Sequence, residues 1–200
     1  MTDPDLPAGI VLAGGASSRM GRDKSLLRLD GSTLLERAVA TLSHVFEEVL
    51  VAGGREVRTA NRERVRVVQD RFPCLGPLGG IHAALKETDR NAGFVAACDM
   101  PLLDPDVIAK QVALWRTVET DALVPLVNGR PEPLHAVYAK RCLPAIEEQI
   151  ERGEYRVRAL LNAVRVHFWE PGPAETRTFA NVNTPEDWAE ITSPGGGKAC

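Results

Sequence analysis

The chain has 200 residues, of which 44 % are hydrophobic and 26 % charged, with a formal net charge of −3. That length builds one domain with a real core, and the balance is that of an ordinary globular enzyme. The mild acidity argues against a surface that coats nucleic acid, and no apolar run approaches the ~20 residues of a membrane-spanning helix. Cys74, Cys98, Cys142 and Cys200 lie far apart, without a C-x-x-C pair. Neither zinc nor a disulfide framework is expected, and reduced cytoplasmic thiols are the default. The opening MTDPDLPAGI is acidic and broken by prolines, which is not the pattern of a signal peptide.

Taken in order, the chain first shows GIVLAGGASSRMGRDK, from Gly9 to Lys24. Ile10-Val11-Leu12-Ala13 has no polar alternation and suits a strand buried on both faces of a parallel sheet. Gly14-Gly15, Arg19, Gly21 and Lys24 follow. Glycines let backbone N–H groups approach an anion closely, and the two cations add fixed positive charge. A strand feeding such a loop is how an α/β protein holds a polyphosphate. Two familiar phosphate loops are excluded: five residues separate Gly15 from Gly21, Arg22-Asp23 intervene before Lys24-Ser25, and no G-x-G-x-x-G is present.

Beyond Lys24, a short extended piece turns at Asp30-Gly31, and Thr33 with Glu36 forms a capping box for a helix through Leu35, Val39 and Leu42. EVLVA (48–52) and VRVVQ (65–69) read as the second and third strands, with a weakly patterned, charged segment between. Asp70 follows the third strand directly, where open α/β sheets line their ligand crevice; there it can contact a nucleotide or begin a turn. Phe72 to Gly80 is a second constrained, glycine-rich loop, entering a helix from Ile81 to Glu87. GFVAA (93–97) is the fourth strand and ends in Cys98-Asp99. Asp99 would face the same crevice, where Mg²⁺ bound with nucleotide phosphates needs only one or two protein carboxylates. Asp104-Pro105 caps a helix to about Val118. Strands follow at Ala122–Val127 and Leu134–Tyr138 around the turn Asn128-Gly129, a hairpin signal. His135 reads as a packed or solvated histidine rather than a general base. Helices at 143–151 and 156–163 and a strand at 164–169 follow. Thr184-Pro185 with Asp187 starts a last helix, and the glycine-rich tail 193–200 is expected to be disordered. The whole predicts an α/β protein: a three-layer α/β/α sandwich over residues 1–192, with a Rossmann-like, mainly parallel sheet and an antiparallel strand near Asn128.

LAGGASSRMGRDK resembles the nucleotide-binding loop of the molybdenum cofactor guanylyltransferases. The likeness continues in the G-P-L-x-G-I loop at Gly76–Ile81, in Asp99 and in the N-V-N-T-P of 181–185. It implies transfer of GMP from GTP to the terminal phosphate of molybdopterin, giving molybdopterin guanine dinucleotide and pyrophosphate. Under that likeness Leu12, Ala13, Gly14, Gly15, Lys24, Asp70, Gly79 and Asp99 bind GTP. Arg19, Lys24 and Asp99 are the catalytic set, Asp99 holds Mg²⁺, and Asn181 and Asn183 approach the acceptor pterin. It also implies a cytoplasmic enzyme whose product passes to molybdoenzymes or their chaperones. Some members carry Asn just after the second strand; this chain has Gly53-Gly54 there. Two other readings stand beside it: a cytidylyltransferase or other small-acceptor nucleotidyltransferase, and a non-catalytic module that delivers nucleotide or cofactor.

Overall fold

In the computed structural model, residues 5–13, 24–53, 57, 59, 63–69 and 75–193 are described, the side chain of Lys24 excepted. Among the described residues ten strands form two sheets: β1 Ala8–Leu12, β2 Arg28–Leu29, β3 Ser32–Thr33, β4 Val49–Ala52, β5 Val65–Val68, β6 Ala92–Ala97, β7 Ala122–Val127, β8 Arg130–Pro131, β9 His135–Ala139 and β10 Val166–Trp169. The α-helices are α1 Leu34–Val45, α2 Pro77–Glu87, α3 Pro105–Trp115, α4 Leu143–Glu151, α5 Val157–Leu160 and α6 Pro185–Thr192. The main sheet runs β10-β7-β9-β6-β1-β4-β5, with β8 on the end of β7, and β2 and β3 form a separate small hairpin. Along the path only β9 runs antiparallel to its neighbours.

Every residue of β1 is buried, which is why its sequence lacks polar alternation. Ile10 and Leu12 face one core layer with Leu78, Ile81 and Leu85 of α2 and Ile146 of α4. Val11 and Ala13 face the other, with Leu35, Val39 and Leu42 of α1 and Ile108 of α3. This is the three-layer α/β/α sandwich with a mainly parallel sheet. Helix α1 begins at the anticipated capping box: Thr33 Oγ1 accepts from the Glu36 N–H at 3.1 Å, and the Glu36 carboxylate accepts from the Thr33 N–H at 2.8 Å.

Four differences from the sequence reading go beyond one or two residues. Helix α2 starts at Pro77 rather than Ile81, because Gly79-Gly80 form its first turn instead of a loop. Helix α3 stops at Trp115 instead of near Val118: the N–H groups of Thr117 and Val118 bond three residues back, and the Thr117 hydroxyl caps the Leu114 carbonyl. Helix α5 covers only Val157–Leu160, since Asn162 and Ala163 likewise bond three residues back. The hairpin at Asn128-Gly129 is present, both residues at positive φ, yet its second arm is only β8. Pro131 and Pro133 lack the N–H a ladder needs, so the chain leaves β7 and re-enters as β9, between β6 and β7.

Candidate active site

After β1 the chain builds β4 and β5 on one side, then crosses by α2 to β6 on the other. The β1/β6 boundary is therefore the topological switch point, where open α/β sheets place their ligand crevice beyond the carboxyl ends of the strands. The Cys98 N–H donates to the Leu12 carbonyl at 3.2 Å, and the Ala13 N–H donates to the Ala52 carbonyl at 2.8 Å. Thus β6, β1 and β4 stay joined to their last residues. Leu12 and Ala13 are buried, so their side chains belong to the core. Asp99 sits in the turn directly after Cys98, half-buried.

Helix α2 presents its amino end to the same edge. Gly76 holds φ +63°, a conformation glycine adopts without strain, and Pro77 takes the first helical position. A Cβ on Gly80 would stand 3.0 Å from Leu12 Cδ2 and 3.3 Å from Ala52 Cβ. The missing side chain lets the first turn of α2 settle on the ends of β1 and β4. Gly79, also buried, adds its N–H to a turn whose donors have no partner within the helix and whose dipole favours anions.

The third wall is the segment 178–183. The Asp104 N–H donates to Thr178 Oγ1 at 2.9 Å, and the Val182 N–H donates to the Asp99 carbonyl at 2.9 Å. Asn181 Nδ2 donates to the Phe179 carbonyl at 3.2 Å. The N–H groups of Asn183 and Thr184 both reach the Asp187 carboxylate, at 2.7 and 2.8 Å, and Thr184 Oγ1 accepts from the Asp187 N–H at 3.1 Å, completing the cap of α6. Asn181 is half-buried and Asn183 exposed.

The structure therefore brings Leu12, Ala13, Gly79, Asp99 and Asn181 to one edge of the sheet. Lys24 opens the 3-10 turn Lys24–Leu26. The candidates Gly14, Gly15, Arg19 and Asp70, and the Lys24 side chain, lie outside the described residues. Among the described residues no group of three or more His, Cys, Asp or Glu could hold a metal ion by itself. A lone hard oxygen donor such as Asp99 suits a cation that arrives on phosphates, because Mg²⁺ fills most of its shell with phosphate and water.

His135, at the start of β9, is a packed side chain and fully buried. Burial pushes its pKa down to about 4, so near neutrality it is the uncharged imidazole, with a single ring N–H. Its partner is Gln111 of α3, also fully buried. Sequence reasoning missed Gln111 because nothing local marks a polar residue on an apolar helix face as buried. It also missed that Val182 reaches back to Asp99. The motif around Val182 was visible, but its destination is set by tertiary packing. Nearby Glu132 is half-buried; desolvation raises its pKa, with the Arg158 charge opposing.

A family model described as a MobA-like NTP transferase domain matches residues 9–168. A probable molybdenum cofactor guanylyltransferase of Natranaerobius thermophilus is 32 % identical over 191 residues, spanning 92 % of this chain and 93 % of that one. Another, from Pelotomaculum thermopropionicum, is 36 % identical over 184 residues, spanning 90 % and 88 %. A crystal structure of a molybdopterin-guanine dinucleotide biosynthesis protein A from Archaeoglobus fulgidus superposes with a TM-score of 0.80 at 27 % identity, covering 92 % of this chain and 96 % of that one.

Proposed function

The chain belongs to the MobA-like NTP transferase family, and from that premise we propose that it transfers GMP from GTP to the terminal phosphate of molybdopterin. The products are molybdopterin guanine dinucleotide and pyrophosphate. The observation that carries this reading is the bond from the Cys98 N–H to the Leu12 carbonyl, 3.2 Å long. Asp99 follows directly on a residue bonded to the end of β1, which supports a role for it at the switch point of the sheet.

The acceptor phosphate and the triphosphate are both anions, so the protein's work is positioning and charge neutralisation. Gly14 and Gly15 offer backbone donors to the phosphates, and Gly79 adds the amino end of α2. Arg19 and Lys24 balance charge that builds on the α-phosphate and on the departing pyrophosphate. Asp70 completes the GTP site. Asp99 would hold Mg²⁺, which supplies Lewis acidity and a template for in-line displacement when bound. Asn181 and Asn183 orient the acceptor. The nucleophile is already an anionic phosphate oxygen, so no general base is required, and the buried neutral His135 is consistent with that.

Among the described residues no helix is long and apolar enough to cross a membrane. A cytoplasmic enzyme that hands its product to molybdoenzymes or their chaperones is the setting we propose. The test is release of pyrophosphate from Mg-GTP when molybdopterin is added, with CTP run in parallel. The expected result is release that depends on molybdopterin and favours GTP. Release with CTP alone would make the chain a cytidylyltransferase, and release with neither nucleotide would make it a binding module.

A further inference from the structure

We propose that His135 is a positioning residue for the acceptor half of the site, acting through the Phe179 ring on Asn181 and on the backbone of Asp99. This inference rests on the guanylyl-transfer reading above.

The His135 imidazole lies between two rings. Phe94 meets it edge-on at 5.0 Å, and Phe179 lies 4.5 Å away at 59°. Its Nδ1 is 3.1 Å from Gln111 Oε1. The amide orientation of Gln111 follows from its other contacts: Nε2 donates to the Leu123 carbonyl at 3.3 Å and to the His135 carbonyl at 3.2 Å. Oε1 is therefore the acceptor, and the ring proton is assigned to Nδ1 by the network. Nε2 then carries the lone pair, and it is buried with no hydrogen-bond partner among the described residues.

An unsatisfied buried acceptor is a liability that a phenyl ring at this place would avoid. What the imidazole adds over a phenyl ring is the Nδ1–H bond to Gln111, which anchors it in the core. The flat face, which a phenyl ring would share, sets the angle of Phe179. From Phe179 the path to the site is short. Its carbonyl receives Asn181 Nδ2, and three residues on, the Val182 N–H holds the Asp99 carbonyl. One end of the 178–183 segment is tied by Thr178 to the start of α3. The ring contact at Phe179 holds that same end, and the Val182–Asp99 bond fixes the other. A tilt of Phe179 would thus move Asn181 and the Asp99 turn together, while α2 and the ends of β1 and β4 stay in place.

Two substitutions separate this role from ordinary core packing. His135→Asn keeps an N–H for Gln111 and removes the ring from Phe179. His135→Phe keeps the ring and leaves Gln111 Oε1 without a donor. In wild-type and variant enzyme, KM for molybdopterin, KM for GTP and Tm are measured. His135→Asn is expected to raise KM for molybdopterin about tenfold, with KM for GTP within about twofold of wild type. His135→Phe is expected to lower Tm and leave both KM values near wild type. Phe179→Leu, which leaves the Gln111 bond intact, is expected to reproduce the acceptor-specific rise. The side-chain amide resonance of Asn181 gives a readout independent of turnover: it should shift in His135→Asn and stay in His135→Phe. Equal acceptor KM in wild type and His135→Asn, or equal rises in the two His135 variants, would overturn the proposal. An inactive wild-type enzyme would instead defeat the functional reading, and the Asn181 resonance would still decide the positioning claim.

Discussion

At the amino-terminal edge of the sheet, charged side chains neutralise one another. Glu47 meets Arg90, Glu48 meets Arg66, and Asp121 meets both Arg141 and Arg165. These pairs add to main-chain bonds such as Asp121 to Arg165 and Lys140 to Asn91, and main-chain bonds also join the carboxyl-terminal edge: Cys98 to Leu12, Ala13 to Ala52, and Val182 to Asp99. The first edge carries side-chain ion pairs on top of its backbone ties. The second has a backbone frame that links the Asp99 turn to β1 and to the 178–183 segment, with the α2 amino end packed against it at Gly80. Paired charges at one end add stability, whereas the main-chain bonds at the other end fix where the Asp99 turn and the 178–183 segment sit. Substitutions at the two edges should therefore act on different quantities.

The largest effect is expected at the frame. Asp99→Asn should lower turnover by about 100-fold or more, because it removes the carboxylate that would hold the cation. Its Tm should stay near wild type, as a half-exposed carboxamide fits the same turn. A parallel loss of Tm and turnover would assign Asp99 to the scaffold. Asp121→Asn should do the opposite, lowering stability by about 1–2 kcal/mol with both KM values unchanged. Burial alone would raise the Asp121 pKa, but hydrogen bonds from Arg141 and Arg165 outweigh it and hold it at about 2. With the folded pKa below the ordinary 3.8, the contribution is complete above pH 4 and lost as pH falls toward 2. Denaturant titrations of wild type and Asp121→Asn should therefore converge in that window.

His135 gives a second, earlier acid window. Its pKa of about 4 lies below the ordinary 6.5 because of burial. The unfolded chain thus takes up its proton first, and stability falls as pH drops from 6.5 toward 4. Wild type should lose stability across that range, and His135→Asn should have a flatter profile there. The smallest effect belongs to Arg152→Ala, which breaks an exposed pair with Glu148 one turn away. A change in stability within about 0.5 kcal/mol is expected by denaturant titration.

What could be read from the chain alone was what is local. The Thr33–Glu36 box, the Asp104 cap and the Thr184–Asp187 cap each depend on residues within one turn, and each is present. The all-buried β1 was legible because a strand covered on both faces cannot alternate. The start of α2 was not, because Gly79-Gly80 carry the composition of a loop while their role is close packing against Leu12 and Ala52. The insertion of β9 between β6 and β7 was not legible either, since two prolines end the local hairpin and the new partner is about 40 residues away in sequence. Of the site, Asp99 was placed by its position after a buried strand. Its tie to Val182 and the pairing of His135 with Gln111 depend on contacts between distant segments, which no local pattern encodes.

The most direct test of the central claim is a paramagnetic one. Mn²⁺ would replace Mg²⁺ in a complex of the protein with GTP, and line broadening of backbone amide resonances would be followed by NMR. The account predicts strong broadening at Ala13, Gly79, Gly80, Asp99 and Val182, with Thr120, Asp121 and Lys140 at the opposite edge unaffected. Broadening centred on Thr120 and Lys140, or none near Asp99, would contradict it.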